Sequence, residues 1–167
     1  MNISRKFSVI ASLISMLAAA PAVQADHEWR LTVNGVSRHF DTDTPRSQLN
    51  EVNPGLGLEY HTSDWYIAGA SYIDSYDCRA GYLGAGERWQ LGQLAGITLD
   101  VGYFAGVHYR CLEYGDTQQN FVPAAFPTLT AGAFGDLVQL TAGVVPPVPD
   151  IIEDPGVAFS LSIRLPD

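Results

Sequence analysis

The stretch Val157-Ala158-Phe159-Ser160-Leu161-Ser162-Ile163-Arg164-Leu165 places an apolar side chain at every second position, with small or polar residues between. Successive side chains of a β-strand point to opposite faces, so this spacing describes a strand with one greasy face and one polar face. The same period recurs upstream. Leu56, Leu58 and Tyr60 alternate with Gly57 and Glu59, and Ile97, Leu99, Val101 and Tyr103 alternate with Thr98, Asp100, Gly102 and Phe104. Val138, Leu140, Ala142 and Val144 alternate with Gln139, Thr141 and Gly143. A soluble sandwich would show the same period, so the decision rests on what surrounds these segments.

Residues 1–25 read as an export leader. Arg5 and Lys6 form a basic start, Phe7 to Ala20 an apolar run, and Val23-Gln24-Ala25 a small-residue cleavage site, so the mature chain is expected to begin near Asp26. The apolar run falls short of the roughly 20 residues that a spanning helix needs. Beyond the leader no second helical period appears. An exported chain made of short alternating segments points to a β-barrel of the outer membrane, with a lipid face and an interior face.

Composition agrees. Of the nine Lys and Arg, Arg5 and Lys6 leave with the leader; seven Arg then stand against 18 acids, a formal net charge of −11. Nucleic acid is excluded as a partner, because it demands a basic footprint. Sixteen Gly and eight Tyr suit a tightly curved sheet whose rims meet the membrane–water boundary.

Turn signals divide the mature chain, residues 26–167, into eight strands near 28–40, 52–61, 65–75, 79–89, 94–106, 122–133, 137–145 and 156–165. Thr62-Ser63-Asp64, Gln90 to Gln93, and Phe134-Gly135-Asp136 make short joints; 41–51, 107–121 and 146–155 make long ones, and 76–78 is short. Short periplasmic turns opposite longer external loops are the pattern of an all-β, eight-stranded antiparallel up-and-down transmembrane β-barrel. A lumen of that size holds side chains or one small ligand and is no porin. Pro45, Pro54, Pro146, Pro147, Pro149 and Pro155 fall in loops or at strand ends. Pro123 and Pro127 fall where the sixth strand begins; they either open a lateral gap in the wall or shape the third external loop.

Two motifs carry a resemblance. One is Ile73-Asp74-Ser75-Tyr76 at the external end of the third strand. The other is Phe121-Val122-Pro123-Ala124-Ala125-Phe126-Pro127, followed by Leu129 to Gly135 and Leu137 to Pro146, with Asn50-Glu51 before the glycine-rich Pro54 to Gly57. From about Thr32 to Pro147 the chain thinly resembles the lipid A palmitoyltransferases of the outer membrane. The resemblance implies an eight-stranded barrel that takes an acyl chain from a phospholipid, holds it inside, and transfers it to lipid A. It implies a catalytic Asp-Ser pair at Asp74 and Ser75. The family's His would fall near Asn34 or Gly35, where this chain has none; His39 lies about four residues later, in phase with lipid-facing Leu31 and Val33. A bulge near Ser37 or Arg38 would re-aim it. The amphipathic helix that precedes the family's barrel is also absent, since Glu28 to Val33 reads as strand.

The residues alone support a parallel argument. Acyl transfer needs a nucleophile with a base, and donors for the developing oxyanion. Ser75 and His39 would serve as nucleophile and base, with Asp74 orienting the imidazole. The structural alternative is that Asp74 and Ser75 simply open a polar turn before Asp77. If His39 is not the base, His108 in the third loop is next. Arg38, Arg79 and Arg110 at the external ends are candidate phosphate contacts, because guanidinium forks suit such groups.

No cofactor is expected. There is no glycine-rich phosphate loop, heme motif or lipobox Cys, and His27, His61 and His108 lack ligand spacing for zinc. Asp41, Asp43, Asp150, Glu153 and Asp154 are acidic loop residues that either bind a divalent cation bridging lipopolysaccharide phosphates or are simply solvated. Cys78 and Cys111 are the only cysteines, and in an oxidising compartment they form a candidate bridge across the hairpin of strands four and five. The expected partners are phospholipid and lipopolysaccharide, the expected state a monomer in a Gram-negative outer membrane. Three functions remain: lipid acyl transfer, lipid A deacylation, or a non-catalytic small barrel for membrane stabilisation or ligand or phage binding.

Overall fold

Eight antiparallel strands, each bonded to its chain neighbours, close on themselves when the first pairs with the last. They are β1 (His27–His39), β2 (Val52–Thr62), β3 (Tyr66–Ile73), β4 (Arg79–Leu94), β5 (Ile97–Arg110), β6 (Asn120–Ala133), β7 (Val138–Val145) and β8 (Gly156–Arg164). This computed structural model describes residues 27–40, 45, 48–112, 118–146 and 155–166. The leader read at residues 1–25 and the acidic residues Asp41, Asp43, Asp150, Glu153 and Asp154 lie outside the described residues. Closure leaves no sheet edge at the β1–β8 junction, where Arg30 to His39 face Arg164 to Gly156.

The alternation sorts side chains inside out relative to a water-soluble domain. Arg30 is 0% exposed and Glu59 6%, while Leu56 is 62% and Leu83 65% exposed. Leu31, Val33, Leu58, Ile67, Leu99, Val107, Leu129, Leu140 and Leu161 extend the outward apolar band around the barrel. Trp29, Trp65, Trp89 and Phe134 are exposed toward the tight-turn end, and Tyr109 and Phe121 toward the other. Aromatic residues in such positions suit a membrane–water boundary.

Three boundary differences from the sequence reading matter for the interior and its rim. The joint expected at Gln90 to Gln93 is strand; the chain turns at Ala95-Gly96, whose φ values are 50° and 79°. A two-residue hairpin turn of type I′ needs positive φ at both central positions, and Gly supplies one of them at no steric cost. Gly92 instead marks an irregularity in the ladder between Gln90 and Gly92. At the opposite end β5 runs to Arg110, so His108 is a strand residue paired with Tyr82 and Val122 and not part of the third loop. The third strand ends at Ile73, which leaves Asp74 and Ser75 in the turn that follows.

Among the described residues the wall is incomplete at one seam. β6 pairs with β5 along its whole length, from Asn120 opposite Arg110 to Gly132 opposite Thr98. Its pairing with β7 begins only at Thr128, opposite Gly143. Among the described residues, which do not include 147–154, Asn120 to Pro127 therefore has no β7 partner, and Pro123 and Pro127 both fall on this stretch. A proline has no N–H to give a ladder, so it is tolerated where a strand is an edge.

Candidate functional site

A bulge decides which side chains reach the upper lumen. Up to Asn34, β1 points Arg30 and Thr32 inward and Trp29, Leu31 and Val33 outward. Between Asn34 and Val36 it carries one residue more than β8, since Asn34 faces Ser160 and Val36 already faces Phe159. The extra residue, Gly35, flips the phase. Beyond it Val36 and Arg38 face out, whereas Ser37 and His39 turn to the lumen; His39 is only 7% exposed. The outward orientation that unbroken alternation predicts for His39 is thus corrected by a bulge that lies earlier than Ser37 or Arg38.

The rim is built from three segments tied together by backbone. Ser37 N–H donates to the Glu51 carbonyl at 3.0 Å, and Asn50 N–H donates to the Ser75 carbonyl at 2.7 Å. These bonds bring the Ser37 and Ser75 hydroxyls to 3.4 Å from one another. Among the described residues no hydrogen bond joins His39 to Ser75 or Asp74, although all three line one cavity with Ser37 and Asn53. The His39 N–H approaches Glu51 Oε1 at 3.5 Å, and Arg38 Nη1 pairs with Glu51 Oε2 at 2.8 Å. Desolvation pushes the Glu51 carboxyl up, but the hydrogen bonds from Arg38 and His39 and their charges outweigh it and hold it below the usual carboxylate range.

Asp74 organises its own turn. Its Oδ1 accepts the N–H groups of Tyr76 and Cys78, each at 2.9 Å, a local side-chain cap of the kind that Asp supplies in turns. Its Oδ2 is buried with no hydrogen-bond partner among the described residues. Cys78 and Cys111 are joined as a disulfide with Cα atoms 6.1 Å apart, so the β3–β4 turn is tied to the start of the β5–β6 connection. The Arg110 guanidinium lies 5.3 Å from the centre of the Tyr76 ring, and its Nε donates to the Cys111 carbonyl at 3.1 Å. Of the three arginines expected to contact phosphate, Arg38 and Arg110 are thus engaged within the rim, and Arg79 sits opposite Ile73 at the start of β4.

Below the rim the lumen has two storeys. The lower one is polar and filled: Glu59 accepts from Thr32 Oγ1 at 2.8 Å and lies 2.7 Å from His61 Nε2 and 3.4 Å from Arg88 Nη2. Arg88 also donates to Gln139 Oε1 at 2.6 Å and lies over the Tyr66 ring at 4.6 Å. His61, which lacked ligand spacing in sequence, is therefore a member of this floor.

The upper storey is a cavity of about 180 Å³. Its walls are mainly apolar: Tyr82, Phe104 and Phe126 pack with ring centres 5.5 Å and 5.3 Å apart, beside Val122, Ala124 and Ala158. Pockets for drug-sized ligands run to roughly 300–1,000 Å³, so this one suits a single slender chain. The cavity touches inward and outward residues of β6 alike, Ala124 and Phe126 with Pro123 and Ala125, and reaches Val145, Pro146, Val157 and Phe159 across the gap. It therefore extends into the unpaired seam. Sequence reasoning missed Ser37 and Asn53, because the phase break that turns Ser37 inward leaves no mark in a single chain. The aromatic alternation of Phe104 and Phe126 on their inward faces was the available signal for the chamber.

No family model matches this chain, and no curated protein matches it. Among solved structures it is similar to the N-terminal β-barrel domain of Pseudomonas aeruginosa OprF, with a TM-score of 0.49 and 10% identity over 84% of this chain and 98% of that one.

Proposed function

We propose that this chain is an outer-membrane barrel that takes one acyl chain of a membrane lipid into its upper lumen and exposes the chain's ester to the rim hydroxyls. The observation that carries this reading is the seam beside β6, where a mainly apolar chamber meets a wall that is unpaired among the described residues. An acyl chain lies in the bilayer and would enter sideways without crossing water. The outward apolar band supports the membrane setting, and the thin resemblance to lipid A palmitoyltransferases supports acyl chemistry.

In this scheme a rim hydroxyl, Ser75 with Ser37 beside it, attacks the ester carbonyl carbon. Its proton passes to the His39 imidazole and then to the departing alcohol. A lipid A hydroxyl would resolve the acyl group by transfer; water would resolve it by hydrolysis. The rival is a non-catalytic barrel that only holds lipid. It is favoured by the engagement of Asp74 Oδ1 in its own turn and by the lack of a His39–Ser75 hydrogen bond among the described residues. Catalytic contacts often tighten only with substrate bound.

Lipid analysis of Gram-negative cells with and without the gene tests the choice. A lipid A species gaining or losing one acyl chain, abolished by Ser75→Ala, supports the enzyme. An unchanged profile with a correctly assembled barrel leaves the lipid-holding rival.

A further inference from the structure

The arginines inside the barrel are neutralised, with one exception. Arg30 and Arg164 share Glu28, and Arg88 lies 3.4 Å from Glu59. Arg110 stands on the inward face of β5 and lines the upper chamber, yet no carboxylate among the described residues lies within ion-pair distance of it. The rim acids are engaged elsewhere. Glu51 pairs with Arg38, Asp77 accepts from the Asn50 amide at 2.8 Å, and Asp74 Oδ1 caps its own turn.

Arg110 is nonetheless held in place. Its Nε donates to the Cys111 carbonyl, and its guanidinium lies over the ring of Tyr76, the residue after Ser75. The Cys78–Cys111 disulfide joins these two supports into one piece of rim. A guanidinium has five N–H donors, and this arrangement uses the one on Nε. The four on Nη1 and Nη2 have no hydrogen-bond partner among the described residues, and neither atom is shut away from solvent.

Resting on the acyl-chain reading above, we infer that the chain seated in the chamber carries an anionic head, a carboxylate or a phosphate, and that Arg110 binds it through its Nη atoms. A guanidinium meets either group with two parallel hydrogen bonds, and the charge on both partners strengthens them. A neutral head would displace water from the cation and return no counter-ion, which is costly beside apolar walls. The acidic balance of the chain opposes anions in general, so any attraction is local to this arginine. In a glycerophospholipid the phosphate lies a few bonds from the acyl ester, and an anchor stacked on Tyr76 would hold that ester beside Ser75.

Calorimetric titration of the full barrel tests this, in a non-ionic sterol glycoside detergent that has no alkyl chain to compete, at about pH 9, where a carboxylic acid is ionised. Two matched pairs are compared: tetradecanoate with tetradecanol, and tetradecanoyl glycerophosphate with tetradecanoyl glycerol. The wild type is expected to bind the anionic member of at least one pair about ten- to a hundredfold more tightly. Which pair shows the preference tells a free acid from a phosphate head. Arg110→Gln is expected to lose the preference while keeping its affinity for the neutral member. Equal affinities within both pairs in the wild type, or a preference that survives in Arg110→Gln, would overturn the inference and leave the acyl-chain reading standing. Failure of all four probes to bind overturns both. Should Arg110→Gln not assemble, the guanidinium ¹⁵N resonances of Arg110 in the wild type decide: they move with an anionic probe and stay with its neutral twin, or the inference fails.

Discussion

The Ser37 and Ser75 hydroxyls stand 3.4 Å apart although 38 positions separate them in the chain. Alternation continued from Leu31 and Val33 would point Ser37 into lipid, so this pairing exists only because Gly35 breaks the phase of β1. The same break turns His39 inward. The polar rim of the chamber is a consequence of Gly35 standing outside the ladder, so that it does not count in the alternation.

Deleting Gly35 alone should therefore remove the bulge and leave Ser37 and His39 inside, in regular alternation with Asn34, whereas deleting Gly35 and Val36 together should turn both to the outer face while Arg30 and Thr32 stay inside. A fluorescent thiol label on Ser37→Cys reports the change: brominated lipids should quench it in the two-residue deletion and not in the single deletion or the parent. Equal quenching in all three would show that the residue count of β1 does not control orientation.

The barrel should fractionate with the outer membrane and migrate differently on gels before and after heating. A closed ladder with an apolar exterior resists detergent, and the outward Leu56 and Leu83 would be costly in water. Recovery as a freely soluble periplasmic monomer would defeat the membrane reading.

If the rim is catalytic, Ser75→Ala and His39→Ala should each abolish lipid turnover without loss of the heat-modifiable band. The double variant should be no worse than either single one, because groups that act as a unit fail together. Asp74→Asn should retain the turn, since an amide oxygen can still accept from Tyr76 and Cys78, and should lower activity less. Activity in His39→Ala with none in Ser75→Ala would move the base to another residue.

Replacing Cys78 and Cys111 by Ser should lower stability toward urea by about 3–4 kcal/mol in the chain-entropy description, for the loop this bridge closes. Assembly should survive, because the ladder of β4 and β5 stands apart from the bridge. A midpoint unchanged from that of the oxidised parent would show that the bridge constrains nothing in the unfolded chain.

Glu59 is the hub of the polar floor, so Glu59→Ala should destabilise the barrel by about 3–5 kcal/mol by leaving Arg88 and His61 without their shared carboxylate. Glu59→Gln should cost less, since it keeps an acceptor for Thr32. Unfolding midpoints of the two variants read the difference; identical midpoints would deny the carboxylate its role.

Much of this architecture was legible in the chain. A period of two is a local property, so runs such as Leu56-Leu58-Tyr60 and Val138-Leu140-Ala142 announced both the strands and their outward faces. The eight-strand barrel follows from their number and spacing. The turn at Ala95-Gly96 was not legible, because Gly92 carries the same glycine signal and only pairing with β5 shows that it stays within the strand. The extent of β5, and with it the inward place of His108, depended in the same way on a partner strand. Inside and outside along β1, the open seam beside β6, and the meeting of Ser37 with Ser75 were decided by tertiary structure alone. Each depends on how many residues one strand sets against its neighbour, and that count belongs to the pair of strands and is not written in either one.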